Sequence, residues 1–132
     1  MDSPSKILVV EDDLFLRELY RDILSAEGYR VETAEDGEQA YQKIKIGGWD
    51  LVLLDIILPK LDGLEVMKKI KSEPPLLTPN RTTIFLTNLD KGEEIKEALT
   101  LGDGYLIKSQ ITPGNLVDEV KTFLAKTASK SQ

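Results

Sequence analysis

The chain has no histidine and no cysteine. Without imidazole it lacks the usual general base for neutral pH and cannot carry a phosphohistidine, so any phosphoryl group it handles comes from another molecule. Without thiols it forms neither disulfides nor thiolate metal sites. No apolar run approaches membrane-spanning length, and Met1-Asp2-Ser3-Pro4-Ser5-Lys6 lacks the charged-then-apolar layout of a secretory signal. Positive charge is scarce: 17 Lys and Arg against 23 Asp and Glu give a formal charge of -6, with no basic cluster longer than two residues. A protein that displaces counterions from nucleic acid needs a basic face, so nucleic acid is not expected as a direct partner. These absences point to a soluble, cytoplasmic protein without a membrane partner.

What is present is ordinary globular material, 41% hydrophobic and 30% charged over 132 residues, enough for one core and too little for a second domain. Residues 1–5 read as a disordered start, 6–125 as the domain and 126–132 as a frayed tail. Within the domain, apolar strand-like runs alternate with helix-period segments. Ile7–Val10 precedes a helix with Leu16, Leu19, Tyr20, Ile23 and Leu24 on one side, and Tyr29–Thr33 precedes a helix capped by Asp36, with Gln39 at capping-box spacing and Gly47-Gly48 at its end. Leu51–Leu54 is followed by the Pro59–Gly63 turn and a helix presenting Leu64, Met67 and Ile70, after which Pro74, Pro75 and Pro79 force a loop. Thr82–Thr87 leads to a helix over Glu93–Leu101 with Ile95, Ala98 and Leu99 inward. Tyr105–Ile107 leads to a last helix capped by Thr112, with Pro113 in its first position and Leu116, Val120, Phe123 and Leu124 as its buried stripe. Five strand-helix pairs with short connections predict right-handed crossovers and a doubly wound, three-layer α/β fold around a parallel five-stranded sheet.

The run Leu51-Val52-Leu53-Leu54 is apolar on both faces, as a strand covered by helices on both sides must be, and it ends in the carboxylate Asp55. Ligands on such sheets sit beyond the carboxyl ends of the strands. Glu11, Asp12 and Asp13 end the first strand, Thr87 the fourth and Lys108 the fifth, so three acids, a hydroxyl and an ammonium are placed at the edge that holds Asp55. Asp13 reads more simply as the cap of the first helix than as a ligand. Close carboxylates repel unless a cation or a proton intervenes. With oxygen ligands only, the cation is Mg²⁺ or Mn²⁺ rather than Zn²⁺. Such an ion, with Lys108 and Thr87, suits the charge of a phosphoryl group in transfer, and Asp55 suits the nucleophile.

In Ile7-Leu8-Val9-Val10-Glu11-Asp12-Asp13, Leu53-Leu54-Asp55 with Pro59 and Asp62-Gly63, Ile84-Phe85-Leu86-Thr87 and Gly104-Tyr105-Leu106-Ile107-Lys108, the chain resembles the receiver domain of two-component response regulators, over about residues 6–125. The resemblance implies a flavodoxin-like receiver fold with Asp55 as phosphoacceptor. Mg²⁺ would be held by Asp12, Asp55 and the main-chain carbonyl of Ile57, with Glu11 acting through water. Thr87 would be the switch hydroxyl, Lys108 the ion-pair partner of the phosphoryl group, and Tyr105 an aromatic switch. The face made by the fourth helix, fifth strand and fifth helix would carry output. A sensor histidine kinase or phosphotransfer protein is the implied donor and a downstream protein the implied target, with homodimerisation on phosphorylation open. Self-phosphorylation and autodephosphorylation are the only chemistry expected, so the chain reads as a signalling phosphoacceptor of the single-domain type rather than an enzyme.

Four positions depart from the family pattern. Ser109 follows Lys108 where a proline after a cis peptide is usual, so either the loop is trans and Lys108 sits differently, or the cis bond is kept without proline. Asn88 stands where a small residue is usual and narrows the route to Asp55, while Ile57 and Leu89 are apolar where the family tunes hydrolysis, which implies a long-lived phosphoryl group. Ser109 and Asn88 motivate a competing expectation, a phosphorylation-independent pseudo-receiver that acts by contact alone. A phosphatase with an Asp nucleophile would need a second Asp at Ile57, and a nucleotide binder a Gly-rich cradle after the first strand, where Glu11-Asp12-Asp13 stands.

Overall fold

A computed structural model describes residues 3–88 and 92–130. The predicted alternation is realised as β1 (Lys6–Val10), α1 (Leu14–Ala26), β2 (Arg30–Ala34), α2 (Gly37–Ile46), β3 (Leu51–Asp55), α3 (Gly63–Lys71), β4 (Thr82–Thr87), α4 (Glu93–Leu101), β5 (Gly104–Ile107) and α5 (Pro113–Lys130), with one 3-10 turn at Lys108–Gln110. The strands form one parallel sheet in the order β2-β1-β3-β4-β5. Helix α5 runs past Lys126, where the sequence suggests fraying, because no glycine or proline follows Gly114 to stop it.

Alternation along the strands divides the core into two halves. Leu8 and Val10 of β1, Val52 and Leu54 of β3 and Phe85 of β4 pack with Ala40, Ile44, Leu64, Val66 and Ala98 from α2, α3 and α4. Ile7, Val9, Leu51, Leu53, Ile84 and Leu86 point the other way, against Tyr20 and Leu24 of α1 and Leu116 and Val120 of α5. Each central strand is apolar on both faces because both are covered. Leu99 is a correction: it is 54% exposed, because the inward stripe of α4 runs through Ile95, Ala98 and Leu101 and a step of one residue past Ala98 turns the side chain outward.

Caps set where the helices begin. Asp13 Oδ1 accepts the Leu16 N–H at 2.9 Å, which establishes Asp13 as a cap. Asp36 Oδ1 accepts the Gln39 N–H at 2.8 Å, but the Gln39 side chain takes the Glu35 N–H at 3.1 Å rather than that of Asp36. A complete capping box lies at the start of α3, between Asp62 and Glu65. Thr112 and Asn115 exchange backbone-to-side-chain bonds at 3.2 and 2.7 Å around Pro113.

Candidate functional site

Parallel pairing aligns the residues that follow the strands. Val10 is level with Leu54, so Glu11 and Asp55 stand side by side. Asp55 is level with Leu86, Thr87 comes next, and Thr87 is level with Ile107, which Lys108 follows. From β1 the chain crosses to β2 through α1 on one face and from β2 to β3 through α2 on the other, so the β1/β3 boundary is the switch point where such sheets open a crevice. Glu11 continues the alternation of Ile7 and Val9, and Asp55 that of Leu51 and Leu53, so both lean toward the α1/α5 side.

There Lys108 joins them. Its Nζ donates to Asp55 Oδ2 at 2.7 Å and to both oxygens of Glu11 at 2.9 Å. Glu11, Asp55 and Thr87 are buried while Asp12 is exposed, and carboxylate oxygens of Glu11, Asp12 and Asp55 lie within 4.8 Å of one another. The described residues contain no cis peptide, so the Lys108–Ser109 bond is trans and Lys108 still reaches Asp55. Ile57 is exposed, and its N–H donates to Asp55 Oδ1 at 3.1 Å. Asn88 is exposed and lines, with Glu11, Asp12, Lys108, Ser109 and the apolar Leu16, Tyr20 and Ile111, a cavity of about 460 Å³. Leu89 lies outside the described residues. Tyr105 is half-buried against the α2–α4 half of the core, away from the carboxylates.

One ammonium between two buried carboxylates leaves negative charge in surplus unless one acid keeps a proton. Burial, followed by the hydrogen bond with Asp55, pushes the Glu11 carboxyl up to about 8, against the opposing pull of Lys108. Burial lowers the Lys108 affinity for its proton, but the bonds to Asp55 and Glu11 outweigh it and the net shift is upward, so Lys108 stays charged. A hard cation among Glu11, Asp12 and Asp55 would remove the surplus, and the donor set is all oxygen, which fits Mg²⁺ or Mn²⁺.

Arg17 belongs to the site although its sequence context does not advertise it. Its Nη1 donates to the carbonyls of Glu11 at 3.0 Å and Asp12 at 3.2 Å, and its Nη2 lies 3.5 Å from Glu35. An arginine one turn into α1 can fold back onto the carbonyls just before its own helix, and four-residue spacing from Asp13 is the only trace of this in the sequence.

Residues 7–121 match the model of the response regulator receiver domain. The chain belongs to that family. It is 36% identical over 129 residues to the transcriptional regulatory protein CpxR homolog of Haemophilus influenzae, covering 96% of this chain and 53% of that protein, so the receiver spans about half of that relative's length. The chemotaxis protein CheY of Treponema pallidum is 37% identical over 110 residues, covering 80% of the receiver and 74% of its own length. Among solved structures, a CheY-like response regulator receiver domain protein from Methanospirillum hungatei superposes with a TM-score of 0.83 at 30% identity, covering 97% of this receiver and 99% of that chain. Among the described residues of the receiver, no helix is long and apolar enough to cross a membrane.

Proposed function

We propose that this receiver takes a phosphoryl group onto Asp55 from the phosphohistidine of a sensor kinase or phosphotransfer protein and passes the signal on by protein contact. An oxygen of Asp55 attacks phosphorus, the P–N bond breaks, and its electron pair leaves with the donor's imidazole nitrogen. The observation that carries this reading is Lys108 Nζ held 2.7 Å from Asp55 Oδ2, with Lys108 lining one cavity together with Glu11 and Asp12. Lys108 pairs with the phosphoryl oxygens as they replace the carboxylate, and the Thr87 hydroxyl, at the end of the adjacent strand, turns toward them. Asp12, Asp55 and the Ile57 carbonyl would hold Mg²⁺, with Glu11 acting through water, and the ion would supply further charge neutralisation. The added charge biases Thr87 and Tyr105, and the face of α4, β5 and α5 carries the output, with homodimerisation as one form it can take. The only chemistry is phosphorylation and dephosphorylation of the receiver itself, in the cytoplasm.

A phosphorylation-independent interaction module is the second reading, and Asn88 on the cavity favours it. Its other motive, a displaced Lys108 next to Ser109, is weakened by the contact with Asp55. Borohydride reduction after exposure to a phosphorylated kinase, followed by peptide sequencing, separates the two. Homoserine at position 55 is the expected product, and unmodified aspartate there would leave the contact-only reading.

A further inference from the structure

The loop between β3 and α3, Ile56–Asp62, is held between the first residues of two helices. The first helical N–H groups have no partner inside their own helix. Gly37, which opens α2, donates to Pro59 O at 3.1 Å, and Gly63, which opens α3, donates to Ile56 O at 2.7 Å. Lys60, in the middle of the loop, is the only non-glycine among the described residues in the left-handed region, at φ 73°, and its Nζ lies 3.5 Å from the buried carboxylate of Asp36 next to Gly37. Neither Gly37 nor Gly63 has a positive φ, so backbone conformation does not demand glycine at either. Alanine would favour the helix at both positions.

Space is what demands it. A Cβ on Gly37 would stand 1.8 Å from Leu61 O and 2.6 Å from Leu61 C, and one on Gly63 would stand 2.3 Å from Asp55 O. These are backbone atoms, so no side chain can swing aside and the loop itself would have to move. That loop begins at the residue after Asp55, and the Ile57 N–H on it bonds Asp55 Oδ1 at 3.1 Å. We propose that Gly37 is a positioning residue: by letting α2 close onto the loop, it sets where Ile57 and Asp55 stand. This role rests on the metal-binding reading of Asp55 and Ile57. It makes the start of α2, 18 positions before Asp55, a determinant of the acid site.

The test is Mg²⁺ binding to the full chain by calorimetry, with amide NMR shifts of the metal-free protein, for the parent, Gly37→Ala and Gly28→Ala. Gly28 has φ +94° and nothing within 4 Å of its added Cβ, so its alanine variant strains the backbone away from the loop and serves as a control for general destabilisation. Gly37→Ala is expected to weaken Mg²⁺ binding about tenfold or more, as loss of outer support does at metal sites, and to shift the Ile57 amide signal. Gly28→Ala is expected to bind Mg²⁺ as the parent does at comparable loss of thermal stability. Parent-like affinity in a folded Gly37→Ala protein overturns the proposal. Should that variant not fold, Pro59→Gly frees the loop without adding an atom; it too is expected to bind Mg²⁺ more weakly, and parent-like affinity there overturns the proposal. If the parent binds no Mg²⁺, the metal-binding reading itself fails, and the role of Gly37 with it.

Discussion

Lys108 Nζ meets Asp55 Oδ2 at 2.7 Å across 53 positions of sequence, and the same ammonium bonds both oxygens of Glu11. Two buried acids thus share one cation, and each partner's removal has a predictable sign. Lys108→Ala leaves facing carboxylates without a counter-charge and is expected to destabilise the metal-free protein by about 3–5 kcal/mol. Above about pH 8, where Glu11 is ionised, Asp55→Asn removes the surplus charge and is expected to stabilise it by about 1 kcal/mol. Urea melts without Mg²⁺ check both signs, and equal behaviour of the two variants would contradict the charge assignment.

The metal-free protein is expected to lose stability as pH rises. Glu11 titrates near 4.5 when unfolded and near 8 when folded, so between these values the native state holds a proton that the unfolded chain has released. Stability from this group is full below 4.5 and is lost as pH climbs through about 8. Lys108, raised from 10.5, releases its proton above that window, so the slope belongs to Glu11 as it faces Asp55 and Lys108. Glu11→Gln is expected to flatten the slope. Mg²⁺, which requires the ionised carboxylate, is expected to bind more tightly up to about pH 8 and to release protons on binding. Thermal melts from pH 5 to 9, with and without Mg²⁺, are the check.

Much of this was legible in the sequence, because a parallel sheet with short crossovers leaves little freedom. A run apolar on both faces that stops at Asp55 marks a covered strand and its edge, and pairing register then brings Glu11, Thr87 and Lys108 alongside. What escaped depends on atoms rather than patterns. Leu99 and Ala98 are adjacent and both apolar, and only docking of α4 decides which is inward. Gln39 sits at the spacing of a capping box yet bonds Glu35, one residue earlier. Ser109 left two geometries open for Lys108, and its trans bond with Lys108 in contact appears only in three dimensions. Gly37 reads as a helix start, and the carbonyl of Leu61 that excludes its Cβ lies on another segment.

Asn88 is expected to slow phosphorylation by small donors, since it is exposed one residue past Thr87 and lines the same cavity as Glu11 and Lys108, the ammonium that bonds Asp55. Asn88→Ala should raise the rate with acetyl phosphate several-fold and leave Mg²⁺ affinity unchanged, as it is not a ligand. Rates from stopped reactions followed by intact mass would show it, and an unchanged rate would clear Asn88 of any gating role.

Ile57 is expected to prolong the phosphorylated state. Its side chain is exposed and carries no polar atom, and its N–H is engaged with Asp55 Oδ1, so it offers nothing to orient an attacking water. Ile57→Asn should shorten the half-life several-fold in a decay assay after donor removal. A half-life of seconds in the parent would contradict this account of hydrolysis.

Intact mass spectrometry after incubation with acetyl phosphate, with Mg²⁺ or with a chelator, tests the central claim most directly. A gain of about 80 Da, one phosphoryl group, is expected in the parent with Mg²⁺ only, and not in Asp55→Asn. No gain in the parent with either acetyl phosphate or a phosphorylated kinase, or an equal gain in Asp55→Asn, would contradict phosphoacceptance at Asp55.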